Sequence, residues 1–232
     1  MKSDLPKVLH PVCGRSMLLH VLEAARAVEA ERIVVVLGHG HEQVLPLLPT
    51  EAVVALQERQ LGTGHAVLAA ADQILEGPML VMPGDTPLIT GDALRALTRE
   101  HSETQAAGTV LTMELEDPTG YGRVIRDGDG LLSRIVEHRD ASPEELSVRE
   151  VNSSMYVLPS RETLEILAKA GSDNDQNEVY LTDVIAGLRA RGMKVAAAKI
   201  DDPTLVLGVN SQEELSEAER LMTLRDVGEC CE

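Results

Sequence analysis

The chain has no tryptophan and no phenylalanine, and its only aromatic rings are Tyr121, Tyr156 and Tyr180. That excludes a surface that stacks unpaired bases on successive rings. Any core must be built from Val, Leu, Ile, Ala and Met, the bulk of the 44% of apolar residues. Positive charge is scarce too: 21 Lys and Arg stand against 38 Asp and Glu, a formal net charge of -17. Nucleic acid and anionic membrane are both poor partners for it, because each needs a basic patch that displaces counterions. Phosphate-bearing small molecules remain open to an acidic chain where a divalent ion and a few local cations neutralise them. The three cysteines offer no disulfide framework, since Cys230 and Cys231 are adjacent and Cys13 is distant. A reducing, cytoplasmic setting is expected. No run approaches the roughly eighteen apolar residues of a membrane-spanning helix. Asp4, Pro6, Pro11 and Arg15 interrupt any secretory signal core near the start.

What is present reads as α/β. At 232 residues one substantial domain is expected. Ile33 to Leu37 is a β-branched run ending at Gly38, the pattern of a strand buried on both faces. A helix from about Ser16 to Glu29 precedes it, with Leu18, Val21, Leu22, Ala25 and Val28 on one face. Strands at Ala52 to Leu56 and Pro78 to Met82 then alternate with helices from about Gly64 to Ile74 and Gly91 to His101. Such alternation predicts right-handed crossovers and a mostly parallel central sheet with helices on both faces. From Gly108 the pattern changes to strands separated by turns, at Gly108 to Leu115, Arg123 to Arg126 and Leu131 to Val136, read as a small antiparallel strand excursion. Ser142-Pro143-Glu144-Glu145 and Ser211-Gln212-Glu213-Glu214 carry helix-start signals, the second opening a final helix to about Leu224.

Two segments carry chemistry. In Gln57-Glu58-Arg59-Gln60-Leu61-Gly62-Thr63-Gly64-His65, an amide and a glycine-flanked hydroxyl could read the edge of a planar base, or the segment is a plain helix entry. Asp85, in Pro83-Gly84-Asp85-Thr86-Pro87, stands just past a strand end, where open α/β sheets bind ligands, or marks only a turn.

These segments recur in a fixed order with others: Lys7 in Leu5-Pro6-Lys7-Val8-Leu9-His10-Pro11, Asp117 to Arg123, Ile135 to Ala141, Glu150-Val151-Asn152, Tyr180 to Asp183, and Gly208-Val209-Asn210. Together they resemble the uridyltransferase domain of bacterial bifunctional N-acetylglucosamine-1-phosphate uridyltransferase/glucosamine-1-phosphate acetyltransferase, from about residue 3 to about residue 225. The resemblance implies a Rossmann-like nucleotidyltransferase fold over residues 1–225, with 226–232 as a tail. It implies transfer of UMP from UTP to N-acetylglucosamine 1-phosphate, giving UDP-N-acetylglucosamine and pyrophosphate for the cell envelope. By the same resemblance Asp85 and Asn210 hold Mg²⁺, Lys7 and Asp85 are the catalytic pair, and Lys7 meets phosphate. Gln57, Gly62 and Thr63 read the uracil, Gly84 lies beside the ribose, and Gly122, Glu137 and Asn152 hold the sugar. Asn210 could equally cap the helix that begins at Ser211, and Glu137 could pair with Arg139. Arg123 is read either as a phosphate ligand or as support for its own turn.

The chain also departs from the family. The family's glycine-rich loop, Leu-Ala-Ala-Gly-x-Gly-Thr-Arg-Met, would lie immediately before Lys2, so its first strand is expected to be missing. Either a groove between two unpaired strands or an unrelated segment should stand in its place, and turnover should be impaired. No acetyltransferase β-helix is encoded, so a monomer is expected. Pro83 replaces a larger residue, and Ser153-Ser154 replaces Thr-Gly after Asn152. Two other functions stay open: a noncatalytic fragment that keeps a nucleotide or sugar pocket, and a transferase for another sugar 1-phosphate.

Overall fold

The computed structural model describes residues 4–229, with side chains as far as Arg225. The junction with the family's glycine-rich loop, expected just before Lys2, and Cys230-Cys231 lie outside the described residues.

A short hairpin, β1 (Pro11–Val12) with β2 (Arg15–Ser16), leads into α1 (Met17–Arg26). The β-branched runs then form β3 (Ile33–Leu37) and β4 (Ala52–Leu56), paired in parallel across α2 (His41–Val44). After α3 (Thr63–Ala69) come β5 (Pro78–Val81), α4 (Gly91–Thr104) and β6 (Gly108–Glu114). The Thr90 hydroxyl starts α4 by accepting from the Ala93 N–H at 3.2 Å, an N-cap of the usual kind. A second hairpin, β7 (Arg123–Arg126) with β8 (Leu132–Val136), is followed by α5 (Pro143–Leu146), where Ser142 and Glu145 close the expected capping box. The chain ends through β9 (Glu150–Pro159), α6 (Ser160–Leu167), α7 (Asp183–Ala190), β10 (Val195–Lys199) and α8 (Gln212–Glu229). The last helix continues beyond Leu224 through most of the expected tail.

The central sheet is mixed, which corrects the mostly parallel sheet expected from the sequence. Its order is β10-β6-β9-β7-β8, with β5 also on β9. Only β10 and β6 pair in parallel; β9 is antiparallel to β5, β6 and β7. The alternation of strands and helices does set β5 and β6 in the same direction, but β9 returns from the β7–β8 hairpin and inserts between them. Gly108 to Glu114 is therefore a central strand and not part of an excursion. Both faces are covered. Leu111, Met113, Val151 and Met155 pack with Leu94 and Leu97 of α4 on one side. Val110, Tyr156 and Leu158 pack with Leu167, Val184 and Leu188 of α6 and α7 on the other, the alternation that a period of two requires.

β9 carries the irregularity that matters for function. Asn152 pairs with Thr112 and Tyr156 with Val110, so β9 takes four steps where β6 takes two. Ser154, inside that bulge, sits at φ 63°. A bulge of this kind re-aims side chains, and here the Asn152 side chain meets the Tyr156 hydroxyl across it.

Between β3 and β5 the sheet is open. Among the described residues β3 pairs only with β4, and β5 only with β9. The space between them is a cavity of about 1260 Å³, walled by both strands, roofed by Leu18, Val21 and Leu22 of α1, and floored by Val67 of α3. That exceeds the roughly 300–1,000 Å³ of an ordinary small-ligand pocket. Among the described residues β3 and β5 each have one paired edge, and neither is paired with the other across this space.

Candidate active site

The polar end of this cavity is walled by Lys7, Thr63, Gly84 and Glu137. Asp85, Gln57, Gly62, Gly122, Asn152 and Asn210 stand behind that wall, arranged in three groups.

The first group surrounds a cation. Lys7, at the start of a 3₁₀ turn, donates to Asp85 Oδ2 at 2.5 Å and to Asn210 Oδ1 at 2.5 Å. The two oxygens are therefore at most twice that distance apart, gathered on one ammonium. Asp85 is held by its own backbone: its carbonyl accepts from the Val209 N–H at 3.0 Å, which draws Gly208-Val209-Asn210 over the end of β5. The capping question at Asn210 has a clear outcome. The Ser211 hydroxyl accepts from the Glu214 N–H at 3.1 Å, and the Glu214 carboxylate accepts from the N–H groups of Asn210 and Ser211 at 2.5 and 2.9 Å. Ser211 is the cap, and the Asn210 side chain faces Lys7. Among the described residues no group of three or more His, Cys, Asp and Glu could hold a metal. The oxygen pair around the Lys7 ammonium suits a hard cation that takes few protein ligands, and the ammonium shows that positive charge sits there. Tyr121, which the sequence reading had not singled out, stands beside this group. Burial and then the Glu214 charge push its phenol up, a hydrogen bond from the Gly208 backbone lowers it, and Asp85 raises it again.

The second group is the Gln57–Thr63 loop. Gly62 has φ 106° and ψ 175°, a conformation open essentially to glycine alone. A Cβ there would lie 2.6 Å from the Val179 carbonyl oxygen. The loop is zipped to residues 179–181: Val179 N–H donates to Leu61 O and Gly64 N–H to Val179 O, each at 2.8 Å, and Leu181 N–H donates to Thr63 Oγ1 at 3.0 Å. Gln57 Nε2 donates to Gly62 O at 3.1 Å and lies 3.0 Å from His65 Nδ1.

The third group gathers the three residues expected at the sugar. Asn152 N–H donates to Gly122 O at 2.9 Å, and a Cβ on Gly122 would stand 3.0 Å from Ile135 and 3.5 Å from Glu137 Oε2. Asn152 Nδ2 donates to the Tyr156 hydroxyl at 2.5 Å, while its Oδ1 accepts from Ser154 N–H at 2.9 Å. Glu137 accepts from the Thr182 hydroxyl at 3.0 Å; an ion pair with Arg139 is not found among the described residues. Burial holds the Glu137 carboxyl above the usual range, Thr182 pulls it down, and Asp140, Asp183 and Glu178 push it up again. Thr182 was legible only as part of a motif, and Tyr156 only as one of the three tyrosines. Arg123 is buried, donates to the Tyr121 carbonyl and lies 3.3 Å from His138 Nδ1, so it supports its own turn.

A mixed α/β sheet with these groups along one rim belongs to a nucleotide-handling class, and the chain is a member of the family of MobA-like NTP transferase domains, whose model matches residues 1–180. It is 48% identical over 227 residues to the bifunctional protein GlmU of Lactobacillus delbrueckii subsp. bulgaricus, covering 97% of this chain and 49% of that protein. It is 46% identical over 228 residues to the bifunctional protein GlmU of Alkaliphilus metalliredigens, covering 98% and 50%. The chain thus spans about half the length of the curated relatives it matches. A UDP-glucose pyrophosphorylase complexed with UDP-glucose superposes with a TM-score of 0.75 at 18% identity, over 95% of this chain and 91% of that one. A putative glucose-1-phosphate thymidylyltransferase from Bacillus anthracis gives 0.74 at 19%, over 93% and 85%. These two show the fold. The GlmU proteins are the relatives to which the motifs point.

Proposed function

We propose that the chain is a sugar-1-phosphate uridyltransferase domain that joins UTP to N-acetylglucosamine 1-phosphate in the cytoplasm. The observation that carries this reading is the convergence of Asp85 and Asn210 on the Lys7 ammonium, beside a glycine-pinned loop, a half-buried carboxylate and a buried amide. Asp85 and Asn210 would hold Mg²⁺, which when bound supplies positive charge against the phosphates. Lys7 provides a mobile point charge for the triphosphate. Gly62 and Thr63 allow a base to approach backbone closely, with Gln57 reading its edge and Gly84 leaving room for the ribose. Glu137 accepts from sugar hydroxyls, Asn152 offers both a donor and an acceptor, and Gly122 permits contact. The nucleophile is itself a phosphate, largely dianionic at neutral pH because its second pKa is about 6, so no side chain has to remove a proton. The work left to the protein is alignment and charge neutralisation.

The open space between β3 and β5 favours a second reading, in which the chain binds nucleotide and sugar phosphate with little turnover. Release of pyrophosphate from UTP and N-acetylglucosamine 1-phosphate, with and without Mg²⁺, separates the two. Faster release with glucose 1-phosphate would assign another sugar.

A further inference from the structure

Gln57 fixes its own orientation. Its carboxamide nitrogen lies 3.1 Å from the Gly62 carbonyl oxygen, which can only accept, so the group facing Gly62 is the NH₂ and not the oxygen. The same nitrogen lies 3.0 Å from His65 Nδ1. With one N–H on Gly62 and the other aimed at the ring, the contact is a hydrogen bond when Nδ1 accepts it, with the ring proton on Nε2. Both N–H groups are then committed, and the only hydrogen-bonding capacity that Gln57 can offer a ligand is the acceptor Oε1. His65 itself is held firmly. It is in the first turn of α3, whose start is tied to residues 179–181 through Thr63 and Gly64.

We propose that His65 is a specificity-determining positioning residue: by engaging the second N–H of Gln57 it locks that amide as an acceptor. The loop then takes pyrimidines with a hydrogen on ring N3, the uracil and thymine class, and refuses cytosine, whose N3 is a lone pair. A side chain free to turn over could present either end and would read neither base. The inference rests on the Gln57–Thr63 loop being the base reader.

The test is equilibrium binding of UTP and of CTP, each with Mg²⁺, to the full chain and to two variants. The unsubstituted chain is expected to prefer UTP. His65→Phe removes the acceptor and should cut the UTP:CTP ratio by about tenfold or more, the scale of one hydrogen bond whose loss strands its partner. His65→Asn, whose Oδ1 can accept near the position of Nδ1, should keep most of it. A purely structural role for His65 would weaken both nucleotides alike and leave the ratio unmoved; that result overturns the assignment and leaves the base-reading loop standing. Absence of any UTP preference in the unsubstituted chain overturns the loop reading and the assignment together. The ¹⁵N shifts of His65 give a check that needs no variant: a lone pair on Nδ1 is expected, and a proton there overturns the inference.

Discussion

The Lys7 ammonium is seated on the Asp85 carboxylate at 2.5 Å, with Asn210 Oδ1 at the same distance on its other side. On the proposed function, one side chain thus stands where a divalent ion would sit and is also a cation that would meet the triphosphate. The two roles cannot be filled at once. An ion entering this position would meet the lysine's positive charge unless a nucleotide had drawn it away, which would make metal and nucleotide binding mutually reinforcing.

Lys7→Met should therefore tighten Mn²⁺ in the absence of nucleotide, by about tenfold, while weakening UTP by a similar factor. Electron paramagnetic resonance of free Mn²⁺ measures the first, and calorimetry the second. Unchanged Mn²⁺ affinity would show that the lysine does not compete for the position.

Asn152→Ala should raise the KM for the sugar phosphate about tenfold or more and leave that for UTP nearly unchanged. Asn152 also secures the β9 bulge through Tyr156 and Ser154. Parallel losses for both substrates would therefore indicate a collapsed bulge and not a sugar contact.

Glu137→Gln should raise the melting temperature at pH 7. Burial lifts the folded-state pKa of Glu137 above its unfolded value, so the folded chain binds this proton more tightly. Its destabilising contribution is absent below the ordinary glutamate range, grows as pH rises through the window up to the raised value, and is constant above it. The advantage of the amide should close as pH falls through that same window. A melting temperature difference independent of pH would contradict the burial argument.

Gly62→Ala should abolish saturable UTP binding and cost about 2 kcal/mol or more in stability, because the new Cβ meets a backbone carbonyl in a conformation that alanine resists. Urea unfolding of the variant checks this, and an unaffected midpoint would rule it out.

How much of this was legible beforehand depended on locality. β3, β4 and β5 were readable because each is a compact apolar run bounded by polar or turn residues. β9 was not: Glu150-Val151-Asn152-Ser153-Ser154 alternates weakly and is broken by its own bulge, although it is the strand that joins the sheet together. β10, Val195-Ala196-Ala197-Ala198-Lys199, has the composition of a helix and becomes a strand through pairing with β6. Strand direction escaped for the same reason, since β9 enters between β5 and β6 from far along the chain. The site residues announced themselves through local motifs. Of the residues that orient them, Tyr121 and Thr182 meet their partners only once distant segments come together, whereas Tyr156 and His65 are close in sequence to Asn152 and Gln57 and needed only the local path of the backbone.

The gap beside β3 should also divide the molecule dynamically. β3 and β4 share hydrogen bonds with each other and with no third strand among the described residues. What ties them to the rest is side-chain packing, chiefly α1, whose Leu18 and Leu22 face β3 while Val21 and Ala24 face the main sheet. A unit held by packing on one helix can open by itself, so amide protons of Val34 to Leu37 should exchange with solvent through a partial unfolding well below the global free energy. Those of Val110 and Val157, at the centre of the mixed sheet, should wait for the whole chain to come apart. Such exchange would make the fold two units in cooperativity, with the seam between them running along the cavity that Lys7, Thr63 and Glu137 line.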